Sequence, residues 1–171
     1  TQLVSVDAAN AATGNSSSFA PQISGDGNHV LFYSLASDLT SNPTNTTTNV
    51  FERNLTTNTT QLVSINAAGT GSGDATSTLA NQTFVNSSQQ SSAQISDNGQ
   101  YVIFKSVASD LVPNFVAEGG GPPFGYDIYL RDTVAGSTTL ISHQLGTTTT
   151  GGTGQSGTAA ITPSGLQVVF Q

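Results

Sequence analysis

Apolar residues in this chain come in short bursts rather than at helical spacing. No stretch of ten or more residues carries apolar positions at i, i+3, i+4 and i+7. Runs of β-branched and aromatic residues, bounded by Gly, Asn, Asp and Pro, recur instead and predict strands. Thr1–Asp7, Ser18–Ser24, His29–Ala36, Asn49–Leu55, Thr60–Ile65, Asp127–Thr133 and Thr138–His143 are the clearest. In His29–Ala36, Val30 and Phe32 share one face, and Leu31 and Tyr33 share the other. Apolar residues on both faces predict a strand covered on both sides.

The bursts repeat. Pro21–Leu39, PQISGDGNHVLFYSLASDL, returns as Ala93–Leu111, AQISDNGQYVIFKSVASDL, and in shortened form as Ala160–Gln171, AITPSGLQVVFQ. Thr60–Ile65 repeats Thr1–Val6, and Asp127–Thr133 follows the pattern of Asn49–Leu55. Each copy reads as a strand, a glycine turn and a second, more apolar strand. Gly25-Asp26-Gly27 supplies the first turn, since glycine accepts positive φ and Asp bonds its own following backbone. Self-similarity on this scale predicts stacked units, each a four-stranded antiparallel meander that needs a neighbour to bury its faces. The expected organisation is a single all-β domain over residues 1–171. It has a lone strand at 1–7, a first unit at 18–65, a second at 93–143 and a half unit at 158–171, eleven strands in all. Polar loops at Asn66–Ser92 and Pro113–Gly125 separate the strands.

Composition narrows the function classes. Ten acidic and three basic residues give a net charge of −7, which disfavours nucleic acid and anionic membranes as partners. Only 8% of residues are charged, against a usual share of about 25%. Ser, Thr, Asn and Gly replace charges on the surface. Cysteine is absent, which excludes disulfides and thiolate metal sites, and no apolar run is long enough to span a membrane as a helix. Thr1 in first place leads us to expect a processed chain or a piece of a larger one. Low charge and abundant hydroxyls lead us to expect an extracellular or cell-surface protein.

Candidate chemistry is sparse. His29 and His143 have no partner at ligand spacing and read as edge or surface histidines. Ser156, in GTGQSGT, misses the G-x-S-x-G nucleophile pattern. Asp26, Asp97, Asp38 and Asp110 recur with the repeat and read as turn and capping residues. Arg53 and Arg131 occupy equivalent strand positions, where a bond inside the unit is the expected role. Six N-x-S/T sequons, at Asn15, Asn45, Asn54, Asn58, Asn81 and Asn86, are candidate glycan acceptors. No catalytic residue, cofactor or metal is expected.

The combined pattern I-S-x-D-G-x-x-V-x-F-x-S-x-A-x-x-L, V-F-x-R-(D/N)-L and T-x-L-V-S resembles the TolB-like, WD-type β-propeller repeat of exported bacterial proteins. Ile23 to Gly27, Val30, Phe32, Ser34, Ala36, Leu39 and Val50–Leu55 carry it in the first copy. Ile95 to Gly99, Val102, Phe104, Ser106, Ala108, Leu111 and Ile128–Asp132 carry it in the second; the third keeps Ile161, Gly165, Val168 and Phe170. The resemblance implies propeller-type blades, two complete with partial blades at both ends, and no closed propeller from one chain, because such rings need about four to eight blades. It implies nothing specific about activity. The expected function is a non-enzymatic structural or adhesive repeat protein whose partners are other copies of itself, and glycans where attached. The expected assembly edges are Thr1, Leu3 and Ser5 at one end, and Gln167, Val168, Val169 and Phe170 at the other. Thr1–Val6 of one copy is expected to complete the broken blade of the next. The alternative is a fragment of a larger secreted propeller that binds a ligand or supports a hydrolase.

Overall fold

A computed structural model describes residues 1–80, 93–117 and 125–171. The described chain is all-β. Strands β1 (Ser18–Ile23), β2 (His29–Ser34), β3 (Asn49–Asn54) and β4 (Thr59–Leu62) form one antiparallel sheet in sequential order. A second sheet of the same order holds β5 (Ser77–Thr78), β6 (Tyr101–Ser106), β7 (Asp127–Asp132) and β8 (Ser137–Leu140). A third, two-stranded sheet pairs β9 (Ala159–Ile161) with β10 (Val168–Phe170). The described residues contain ten strands, and no helix among them is long and apolar enough to cross a membrane.

Apolar side chains on both faces of β2, β3, β6 and β7 force the sheets to stack. Leu31, Val50 and Val63 from the rear of the first sheet meet Ile95, Val102, Phe104 and Tyr129 from the front of the second. Ile103 and Ile128 from the rear of the second meet Ala159 and Ile161 of the third. The front of the first sheet, with Phe32, Phe51 and Leu62, is covered by Val4 of the opening segment. On each front face an aromatic pair spans the two central strands: Phe32–Phe51 at 5.9 Å and Phe104–Tyr129 at 5.6 Å between ring centroids.

The repeated polar letters fasten the same joints twice. Ser34 Oγ donates to the Ser17 carbonyl and accepts from the Ala36 amide; Ser106 does the same with Thr76 and Ala108. Asp38 Oδ1 accepts from the Asn15 amide, and Asp110 Oδ1 from the Asp74 amide. In this way the segment leaving one sheet is pinned to the loop after the second strand of the next. Both Asp residues therefore have the structural role expected of them. The turn register corrects one pairing, however. Asp26 corresponds to Asn98, not to Asp97. Asp26 Oδ1 accepts from the Ser24 hydroxyl and the Asn28 amide, as Asn98 Oδ1 does from Ser96 and Gln100.

Two strand assignments also change. Thr1–Asp7 is not a strand: only Val6 makes a bridge, to Thr13. By repeat position this segment matches β4 and the residues after it. β4 is held by β3, and no described strand pairs with Thr1–Leu3 in the way β3 pairs with β4. The second sheet begins at Ser77, not at 93. Ser77 pairs with Ser106 as Ser18 pairs with Ser34, and Ile95 bridges Val102 as Ile23 pairs with Val30. Five positions separate the first pair of landmarks and eighteen the second, so thirteen extra residues enter at the point where β1 has its bulge between Phe19 and Gln22.

Consecutive sheets also touch through their turns. The Asp26 amide donates to the Asp97 carbonyl, and the Asp97 amide to the Pro163 carbonyl, at 2.9 and 2.8 Å. Gly99 lies under the His29 ring and Gly165 under the Tyr101 ring, so a Cβ at either would fall inside the aromatic group. Gly27 has the same positive φ but open space around it. Gly99→Ala and Gly165→Ala should each cost more stability than Gly27→Ala. The control should lose about 1 to 2 kcal/mol for its left-handed backbone alone. Urea unfolding of the three variants measures the difference.

Candidate functional site

Two regions break the repeat, and both lie where one sheet meets a neighbour. The first is a polar group inside the interface between the first and second sheets. His29 opens β2, Glu52 lies in β3 and Gln61 in β4. Cross-strand register puts Gln61 directly opposite Glu52, and strand alternation puts His29 on the same rear face. Glu52 is fully buried; His29 Nδ1 meets its Oε1, and Gln61 Nε2 donates to its Oε2 at 3.0 Å. Burial pushes the Glu52 carboxyl up, and the bonds from His29 and Gln61 oppose that rise. The next interface has Tyr101, Leu130 and Thr139 at the corresponding positions, so the polar group is specific to one joint. The His29 ring abuts Gly99, so the group lies at the contact between the two sheets. Sequence reasoning missed the pair because 23 residues separate its members.

The second region is the exposed apolar surface at the two ends of the stack. Ile23 is 61% exposed, whereas Ile95 and Ile161, its counterparts on the second and third sheets, are 5% and 4%. At the other end Val169 is 69% exposed, whereas Leu31 and Ile103 at its position are 0%. Phe170 is also exposed, whereas Phe32 at its position is buried against Phe51. Of the expected edge residues, Thr1, Leu3 and Gln167 are exposed, and Ser5 and Val168 are half-buried. Ser5 is not an open edge: its carbonyl accepts from the Gly14 amide. Ile23 was not among the expected edge residues. Its exposure follows from comparing the repeats in space.

The sequons occupy varied settings. Asn15 is exposed, but its side chain bonds the Ser37 hydroxyl and amide. Asn45 Nδ2 donates to the Gly73 carbonyl, fastening the Pro43–Thr48 loop to the next connection. Asn54 Oδ1 accepts from the Thr56 and Thr57 amides and closes the β3–β4 turn. Asn58 is exposed at positive φ, and its Oδ1 accepts from Gln2. Asn81 and Asn86 lie outside the described residues. His143 is exposed and bonded to the Gln144 carbonyl, and Ser156 is buried with its amide on the Tyr126 carbonyl. No group of three or more His, Asp or Glu with metal-ligand geometry occurs among the described residues.

Asp127 is a further departure. It takes the place of Asn49, is fully buried, and accepts from the Ser142 hydroxyl at 2.7 Å, while Oδ2 has no hydrogen-bond partner among the described residues. Burial pushes its carboxyl above the ordinary aspartate range, against the Ser142 and Gly152 bonds. No family model, no curated protein and no solved structure matches this chain.

Two predictions follow from these groups. The folded pKa of Asp127 lies above the unfolded value, so its share of stability is present below the unfolded pKa and is lost as pH rises through the folded one. Asp127→Asn, which removes the buried charge and keeps the shape, should raise stability at pH 7 and do so by much less at pH 3. Thermal melts at the two values measure this. The triple variant His29→Tyr/Glu52→Leu/Gln61→Thr copies the next interface. It should be neutral or more stable by about 1 to 4 kcal/mol in urea, whereas Glu52→Leu alone, which strands His29 and Gln61, should be less stable.

Proposed function

We propose that this chain is an extracellular, non-enzymatic structural repeat protein that associates head to tail. The observation that carries the reading is the pair of end faces. Each internal joint sets a rear residue, Leu31 or Ile103, against a front isoleucine, Ile95 or Ile161. Val169 is a rear residue without a front partner, and Ile23 is a front residue without a rear partner. The surface at one end is therefore complementary in kind to the surface at the other. A heterologous contact of this sort closes into a ring or runs on as a filament, according to its rotation. The low charge and hydroxyl-rich surface support an extracellular setting.

The contact runs through sheet faces rather than through Thr1–Val6. That segment holds the fourth-strand position of a unit, and β10 holds the second. A strand added directly to β10 takes the third position, where β3 and β7 carry Phe51 and Tyr129. A second reading is a segment of a larger secreted β-propeller. It is favoured by the ladder of turns, Asp26 to Asp97 to Pro163, which lines up one end of all three sheets.

Sedimentation velocity across a hundredfold concentration range tests the proposal. Species above the 17.4 kDa monomer should appear with concentration. Ile23→Lys or Val169→Lys should abolish them, and Leu145→Lys on a fully exposed loop should not. A chain that stays monomeric throughout overturns self-association. Electron microscopy of the same samples then separates open filaments from closed rings.

A further inference from the structure

The joint between the first two sheets also carries a cleft that the unit before it has closed. The cleft has a volume of about 230 Å³ and opens between the connection after β4 and the β7–β8 hairpin. Arg131 stands in its wall, with Ser137 and Thr138 beside it and Ile65, Leu111 and Pro113 opposite. The guanidinium donates from Nη1 to Thr138 Oγ1 at 3.1 Å and makes no ion pair among the described residues. Arg53, at the same position one unit earlier, makes the same bond to Thr60 but is buried.

The two units differ at two turn positions. Asn10 and Asn58 sit at positive φ in the earlier unit, and Asn58 Oδ1 accepts from Gln2. Their counterparts around Arg131 are Gly69 and Gly136, with the same backbone conformation and no side chain. A Cβ at Gly69 meets nothing within 4 Å, and one at Gly136 meets only an Arg131 nitrogen at 3.9 Å. Glycine is not needed there to avoid a clash, and asparagine serves the same backbone one unit earlier. The two glycines put no side chain into the cleft, and the half-buried Arg131 lines it.

The nearby carboxylates are already engaged. Asp132 accepts from the Val134 and Ala135 amides and from Gln100, and Asp110 from the Asp74 amide. Arg53 is buried in its own joint, and the remaining base, Lys105, sits over the Tyr126 ring at 4.9 Å. In a chain with ten acids and three bases, Arg131 lines this cleft and makes no ion pair among the described residues.

We propose that this cleft binds a small hydroxylated carboxylate, of the class of a uronic acid sugar. The fork of the guanidinium fits a carboxylate with two parallel N–H donors. Ser137 and Thr138 offer hydroxyls to the ligand's own, and Ile65, Leu111 and Pro113 give an apolar wall. The volume corresponds to about eight waters at about 30 Å³ each, enough for a monosaccharide acid. This site stands independently of head-to-tail association.

The test is a titration of the full ¹⁵N-labelled chain with sodium glucuronate at low salt, with glucose as the neutral control. Amide shifts should concentrate at Gly69, Gly136, Ser137 and Thr138, with affinity in the millimolar range. Arg131→Met should weaken binding at least about tenfold. Gly69→Asn/Gly136→Asn, which copies the closed unit and leaves Arg131 in place, should weaken it as much while the rest of the amide spectrum is unchanged. Absence of shifts at the cleft, equal affinity in the double-Asn variant, or equal binding of glucose overturns the proposal.

Discussion

A sheet that is apolar on both faces cannot stand alone in water, and the rest of this structure depends on that constraint. β2 and β6 place large apolar residues on alternate sides with no polar face to turn outward. Burial is available only between sheets, so each unit is stable as a member of a stack. The hydrogen bonds between sheets set the geometry of that stack. The Asp38 and Asp110 pins, the serine clamps at Ser34 and Ser106 and the turn ladder fix how one sheet sits on the next. Single bonds of this kind contribute about 1 kcal/mol each, and their repetition matters more than any one of them.

The same constraint places the candidate sites. In this stack the departures from the pattern sit at a joint or at an end. The His29–Glu52 pair replaces an apolar contact inside one joint. The Arg131 cleft is a joint left partly unfilled. Ile23 and Val169 are faces that every internal sheet covers. In each case the comparison of one unit with the next reveals the departure, and the repeat acts as its own control.

Much of the architecture is legible in the sequence because the letters that define it are local. Ile-Ser-x-Asp-Gly, its variant Ile-Thr-x-Ser-Gly and Phe-x-Ser-x-Ala each carry their partners within a few residues, so the hairpins at β1–β2 and β9–β10 and the position of β3 and β7 can be read directly. Where partners are distant in the chain, the reading fails. Thr1–Asp7 has the letters of a strand and no strand beside it. β5 is two residues long and separated from its continuation at Ala93–Ser96, so its pairing with β6 is invisible to local pattern. His29 and Glu52 meet only through the register of β2 and β3. The Arg131 cleft depends on two glycines at turn positions 67 residues apart, each unremarkable on its own.

The bulge in β1 has a consequence for how such a chain diversifies. At Ala20, where φ is 50°, the edge strand leaves its ladder and returns at Gln22. The corresponding point in the second unit admits thirteen residues, while the flanking pairs, Ser77 with Ser106 and Ile95 with Val102, keep the register of the shorter unit. The strand is thus already parted at that point, and length can be added there without shifting a single residue of the core. This makes the bulge a natural grafting point. A peptide inserted between Ala20 and Pro21 would be displayed from the strand edge while the stack beneath it keeps its packing.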